Sequence, residues 1–137
     1  MYICKDITEH YKRMVKNHGP YACFITLTFK QNIGMKKICE FTSNFLHYSN
    51  KRIFGRRYKQ HGRWLQGFAF VERHKLGNSI CEYHIHALIK SDDRYDFFAF
   101  PEINDIFIKA ALQVVDHKDR QIFSKNCIEI KPVTYER

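Results

Sequence analysis

A single α+β domain, with elements in the order β-α-β-β-α-β behind one extra leading helix, is what this 137-residue sequence predicts. Three observations predict it. Two long segments carry apolar residues at helical spacing, and four shorter ones alternate or concentrate β-branched and aromatic residues. No Pro/Gly-rich linker, low-complexity tract or fixed-period repeat divides the chain, so residues 1–137 are expected to form one domain.

Each element has its own signal. Ile7, Tyr11, Met14 and Val15 recur at helical spacing and Gly19-Pro20 stops the pattern, which predicts a first helix near 6–17. Cys23 to Phe29 alternates with β-branched and aromatic residues that suit a pleated surface, so it is expected to be strand one. Ile38, Phe41, Phe45 and Tyr48 share one helical stripe, which predicts a long helix from about residue 35 into a basic stretch. Trp64 to Glu72 is expected as strand two, Lys75 to Ser79 as a turn around Gly77-Asn78, and Glu82 to Ile89 as strand three. Pro101-Glu102 suits a first helical turn, and Ile103, Ile106, Phe107, Ala110, Ala111 and Val114 form the apolar face behind it. Cys127 to Lys131, closed by Pro132, is the fourth strand.

That order is the ferredoxin-like arrangement, an antiparallel sheet with helices on one face and the other face free. Alternation then assigns the faces. Ile25, Leu27, Phe29, Ala69, Val71, Tyr83, Ile85, Ala87 and Ile89 are expected to point toward the helices. Thr26, Thr28, Phe68, Phe70, Glu72, His84 and His86 are then left on the open face.

Composition narrows the partners. With 23 Lys and Arg against 14 Asp and Glu, the chain carries a net charge of +9, which favours a polyanion over an acidic-protein partner. No apolar run approaches the roughly 18 residues that span a bilayer, and Met1 to Thr8 lacks a signal peptide's basic start and apolar stretch. A non-secreted protein without a membrane partner is expected. Cys4, Cys23, Cys39, Cys81 and Cys127 are odd in number, widely spread and never paired as Cys-x-x-Cys, so no disulfide framework is indicated. The stretch from Lys51 to Arg63 holds Lys51, Arg52, Arg56, Arg57, Lys59 and Arg63, interleaved with aromatics and free of acids. It suits phosphate contact, with Phe54, Tyr58 and Trp64 available to stack on bases. Lys36 and Lys37 are expected to extend that surface, and Thr26 and Thr28 to add polar contacts.

His84-Ile85-His86 is the sharpest feature, because residues two apart on a strand project from one face about 7 Å apart. Spacing alone is weak: 8 histidines in 137 residues produce about half of one such pair by chance. Context strengthens it. Imidazoles plus a carboxylate suit a divalent ion that works on phosphate, and Glu72 on the paired strand can supply the carboxylate, with Glu82 as its rival. Cys81-x-x-His84-x-His86 is a further possibility as a zinc site, although the chain offers no second ligand pair.

Phe24 to Phe29 on strand one, Phe70-Val71-Glu72 on strand two and Tyr83 to Ile89 on strand three together resemble the HUH single-strand endonucleases. Within that superfamily the chain is most similar to the rolling-circle replication initiators of small plasmids and filamentous phages, from strand one through strand four. The resemblance implies Mn²⁺ or Mg²⁺ held by His84, His86 and Glu72 against a scissile phosphate of single-stranded DNA or an origin hairpin. It also implies nicking and joining through a covalent 5′-phosphotyrosine in the cytoplasm of a bacterial host, alongside a helicase or other replication machinery. The family's nucleophile sits on a helix after the fourth strand. Here Tyr135 is the sole tyrosine in that region, three residues past Pro132 and two before Arg137. The chain is therefore expected to be a nuclease domain cut before its nucleophile helix, with the true nucleophile beyond Arg137 and Tyr135 as the candidate within the chain.

Other classes stay open. Gln66 to Arg73 is near the RNP1 pattern, so a non-catalytic RNA-recognition-like module is the main alternative, but both ends of the pattern mismatch. An HUH transposase would share nearly every feature. A relaxase would want a third histidine, and a regulatory DNA-binding domain that has lost catalysis would suit a missing nucleophile.

Overall fold

The computed structural model describes residues 12–73, 83–91 and 100–133. Helix α1 is described over residues 12–17, followed by β1 (Tyr21–Thr28), α2 (Met35–Phe54), β2 (Gly67–Arg73), β3 (Tyr83–Lys90), α3 (Phe100–Gln113), a single 3₁₀ turn (Lys125–Cys127) and β4 (Ile128–Pro132). The four strands form one sheet in the order β2-β3-β1-β4, every neighbouring pair antiparallel. This is an α+β architecture compatible with the ferredoxin-like fold, as the periodicities predict. Among the described residues no helix is long and apolar enough to cross a membrane.

Burial follows the alternation. From Cys23 to Phe29 every second residue is buried, and along β3 Ile85, Ala87 and Ile89 are buried between half-exposed neighbours. The apolar stripe of α2 (Ile38, Phe41, Phe45) and that of α3 (Phe107, Ala110, Ala111) close on this face, with Val114, Ile122 and Phe123 sealing one end. Phe45 meets Phe107 between the helices at a ring-centroid distance of 6.0 Å, and Phe29 meets Phe123 at 5.0 Å. Burying each such side chain contributes roughly 1.5–3 kcal/mol, which is what holds two helices to one sheet face.

Several details differ from the sequence reading, each for a local reason. Trp64, Leu65 and Gln66 precede β2 rather than opening it: Leu65 donates its backbone N–H to the buried Asn50 side chain on α2, at 2.7 Å. That contact holds the chain on the helix before it enters the sheet. Strand pairing begins at Gly67, whose φ is +155° and whose missing Cβ would collide with the Leu88 carbonyl. Ala69 lies on the expected face but is exposed, because β2 is an edge strand. On α3, Ile108 also packs against the core. The turn assigned to Lys75–Ser79 lies outside the described residues, as do Ile7 and Tyr11. The description also stops at Val133, so the expectations placed on Tyr135 and on the chain end at Arg137 fall outside it.

The open face is open only in part. A register irregularity between Tyr21 and Cys23 pairs Tyr21 with Lys90, which turns Tyr21 away from the helical core. Its hydroxyl donates to the Val15 carbonyl of α1, and its ring meets Phe68 at 6.4 Å. His18, just past α1, meets the same Phe68 at 6.0 Å. Phe68 pairs with Leu88 and so belongs to the face opposite α2 and α3. The end of α1 therefore covers the sheet at the Gly67 pole, while the Glu72 pole keeps the composition that alternation assigned to it.

Candidate functional site

Three strands supply the side chains of the site, and their register sets which ones meet. Glu72 on β2 stands opposite His84 on β3, and His84 stands opposite Thr28 on β1. One step along, Phe70 stands opposite His86, His86 opposite Thr26, and Thr26 opposite Glu129 on β4. Directly opposed side chains have Cβ atoms about 4.5–5.5 Å apart, and diagonal neighbours remain within reach of long side chains. Glu72 uses that diagonal: its Oε2 accepts a hydrogen bond from Nε2 of His86.

His86 is the hub. Its other ring nitrogen, Nδ1, lies 3.2 Å from Thr26 Oγ1, and its ring stacks on Phe24 at 5.4 Å with the planes 14° apart. With Nε2 donating to Glu72, a neutral ring accepts the Thr26 hydroxyl proton at Nδ1, whereas a protonated ring donates at both ends. Glu72 is about half exposed and His86 about one-fifth, so the contact is screened on one side by solvent and on the other by the sheet. Thr28 is otherwise engaged, donating Oγ1–H to the Cys127 carbonyl at 3.2 Å, which ties the end of β1 to the 3₁₀ turn.

The expected histidine, carboxylate and threonine residues thus come together on one face, with two departures. Among the described residues no three of His, Cys, Asp and Glu already converge as a ready cage for an ion: Glu72 and His86 meet, and His84 stands beside them on the same face. Thr28 belongs to the support of the strand end rather than to the cluster. Cys81, Glu82, Tyr135 and Arg137 lie outside the described residues, so the structure assigns no place to the rival carboxylate, to the zinc alternative or to the nucleophile expected at or beyond the chain end.

Two neighbours escaped the sequence reading. Phe24 shares the parity of Thr26, so alternation alone could have assigned it to the open face. Glu129 required the β4 register, which spacing does not supply. Glu129 pairs with Lys131 at 2.8 Å, and this contact raises the lysine pKa.

The basic stretch divides. Lys51 and Arg52 form the last turn of α2, where cations complement the helix dipole, and Arg52 Nε donates to Gln113 Oε1 at 2.8 Å, tying α2 to α3. Arg56, Arg57, Lys59 and Arg63 are exposed on the turn that follows. Of the aromatics expected to stack on bases, Tyr58 is only 5% exposed in this turn and Phe54 packs against the core, which leaves Trp64 at 47% exposure. Lys36 and Lys37 lie at the opposite end of α2, about 25–30 Å away at 1.5 Å per residue, and do not extend the same surface.

Fold and site together define an antiparallel α+β domain with a carboxylate–imidazole–hydroxyl cluster and an aromatic strip on one sheet face. Comparison of the chain with protein-family models, with curated proteins and with solved structures finds no match.

Proposed function

We propose that this domain nicks and rejoins single-stranded DNA in a metal-dependent reaction through a 5′-phosphotyrosine, as an initiator of rolling-circle replication in a bacterial cell. The observation that carries the reading is the meeting of Glu72 and His86, with His84 opposite Glu72 on the same open face. A carboxylate oxygen and two imidazoles form a mixed oxygen–nitrogen donor set that can take a divalent first-row ion, and the resemblance to HUH nucleases is what points to Mn²⁺ or Mg²⁺. His86 has its second nitrogen beside Thr26 Oγ1, a hydroxyl partner of the kind that holds the ring angle of a ligating histidine. Glu72 and His84 project from the same face as His86 and stand opposite one another in the strand register.

When bound, the ion would polarise the phosphoryl oxygen and offset the charge that develops there. The chain's own residues do the rest. Phe24 and Phe70 flank the cluster and provide aromatic surfaces for unpaired bases, which duplex DNA does not offer. A tyrosine oxygen gives up its proton and attacks phosphorus, the bond between phosphorus and the 3′ oxygen breaks, the upstream fragment takes up a proton and leaves with a 3′ hydroxyl, and the downstream fragment stays joined to the protein through its 5′ phosphate. Tyr135 is the candidate nucleophile within this chain.

Mn²⁺ binding followed by electron paramagnetic resonance tests the site without needing the origin sequence or the nucleophile. The native domain is expected to deplete the free-ion signal and His84→Ala/His86→Ala to leave it intact. Undiminished binding in the double variant would sink the assignment. Failure of the native protein to bind the ion, even with single-stranded DNA present, would favour a non-catalytic module. One observation lends that second reading some weight: Phe24 and Phe70 share the uncovered part of the open face with the histidines. Against it, the RNP1-like segment Gln66 to Arg73 runs into the edge strand β2, whereas stacking modules of that kind place it on the third strand.

A further inference from the structure

Residues 55–63, between α2 and β2, make a built object rather than a solvated run of charge. Gly55 ends α2 by donating to the Lys51 carbonyl, and four further backbone hydrogen bonds close the chain on itself. These run from Tyr58 to Gly55, from His61 to Arg57, from Gly62 to Lys59 and from Arg63 to Tyr58, at 2.9–3.2 Å. Gly62 has a φ of +63°, a conformation that a β-carbon disfavours. The turn is then pinned to α2 at two points: the buried Tyr58 hydroxyl pairs with His47 Nδ1 at 2.7 Å, and Asn50 holds Leu65 on the far side. Four cations, Arg56, Arg57, Lys59 and Arg63, are displayed outward, with Lys59 lying 5.9 Å from the centre of the Tyr58 ring.

This turn stands well away from the histidines. It leads into Gly67, and Glu72 lies five residues further along β2, about 17 Å at 3.3–3.4 Å per residue. The turn rests on α2, whereas Glu72 and His86 are on the other face of the sheet, so a path between the two is longer still.

We propose that residues 55–63 are a preorganised phosphate-binding turn for a nucleic-acid backbone, physically separate from the histidine–carboxylate cluster, so that one bound strand must span both. The inference rests on the nucleic-acid part of the proposed function but not on its chemistry. A stacked strand advances about 3.4 Å per phosphate, so the span needs at least about five nucleotides. Shorter oligomers engage one site or the other. Tyr58 is a positioning residue here, because it holds the shape of the turn and contributes no charge.

The test is fluorescence-anisotropy binding of oligothymidylates from about 4 to about 16 nucleotides, a range covering typical single-strand site sizes. Native protein, Arg56→Ala/Arg57→Ala/Lys59→Ala, Tyr58→Phe and His84→Ala/His86→Ala are compared, each checked for native circular dichroism and melting. The native affinity is expected to climb steeply once the oligomer exceeds the span. In the triple variant that climb should flatten, and the salt slope on long oligomers should fall by about 2, at roughly 0.7 per lost phosphate contact. Tyr58→Phe, with every cation retained, should weaken long oligomers severalfold and the shortest ones little. Equal proportional loss at every length, or an unchanged salt slope in the triple variant, would overturn the proposal, as would failure of native protein to bind any oligomer. If turn-dependent, length-dependent binding persists while Mn²⁺ binding fails, the phosphate-binding turn stands and the nuclease reading alone falls.

Discussion

Thr26 shows how one hydroxyl on a strand can serve a site without reacting in it. Its Oγ1 is 3.2 Å from His86 Nδ1, so it determines which ring nitrogen is left to face Glu72 and any cation. Thr26→Val keeps the shape and the β-branch but removes the partner. Losses of this kind typically weaken metal affinity by about 10–100-fold, and Mn²⁺ titration of Thr26→Val is expected to fall in that range with melting nearly unchanged. A second residue-scale case is Cys23, whose thiol is pushed up to about 12 by burial in the core, whereas Cys39 on α2 is exposed.

Elements here are joined by a few polar contacts whose loss has a definite cost. Asn50 is buried and accepts the Leu65 N–H; Asn50→Ala leaves that donor unsatisfied and is expected to lower stability by about 1–3 kcal/mol in urea unfolding. Gly67 opens β2 where backbone meets backbone. Gly67→Ala places a Cβ against the Leu88 carbonyl and forces a strained φ, at a cost of at least about 1–3 kcal/mol in the same experiment. Past α3, Asp116 accepts hydrogen bonds from the backbone N–H of Arg120 and of Lys118, and its Oδ2 meets Arg120 Nε at 2.9 Å. The Arg120 amide is the largest influence, and the carboxyl is held down at about 2. An unfolded aspartate titrates near about 3.9. The stabilisation is therefore fully present above about pH 4 and is lost as pH falls through about 2. Thermal melts of Asp116→Asn are expected to lose part of the acid dependence that native protein shows across that window.

At the scale of the whole molecule, one core couples the sheet to both helices, so damage between the helices should reach the site on the far face. Phe45 is 1% exposed and meets Phe107 across the helix pair. Phe45→Ala is expected to cost about 3–5 kcal/mol and to lower the melting temperature as one transition. The same sheet keeps the two charged regions apart, because α2 returns the chain to the Gly67 pole before β2 carries it forward to Glu72. The turn displays four of the chain's 23 Lys and Arg, apart from the imidazole–carboxylate cluster.

The periodicity of 2 along Tyr21–Thr28 and Tyr83–Lys90, and of 3.6 along Met35–Phe54, was legible in the residues themselves, since side-chain direction follows backbone geometry. Strand existence, helix existence and the shared face of Thr26, His84, His86 and Glu72 follow from it. The burial of Tyr58 was not legible. A tyrosine amid arginines has the pattern of a stacking residue, and only the fold of the turn back onto His47 makes it a pin. Nor could alternation foresee that a register irregularity after Tyr21 would bring α1 over Phe68, because one slipped residue reverses a side chain's face without altering composition. Sequence alone determined which residues could share a surface; tertiary structure decided which of them touch, through register and docking contacts made between residues far apart in the chain.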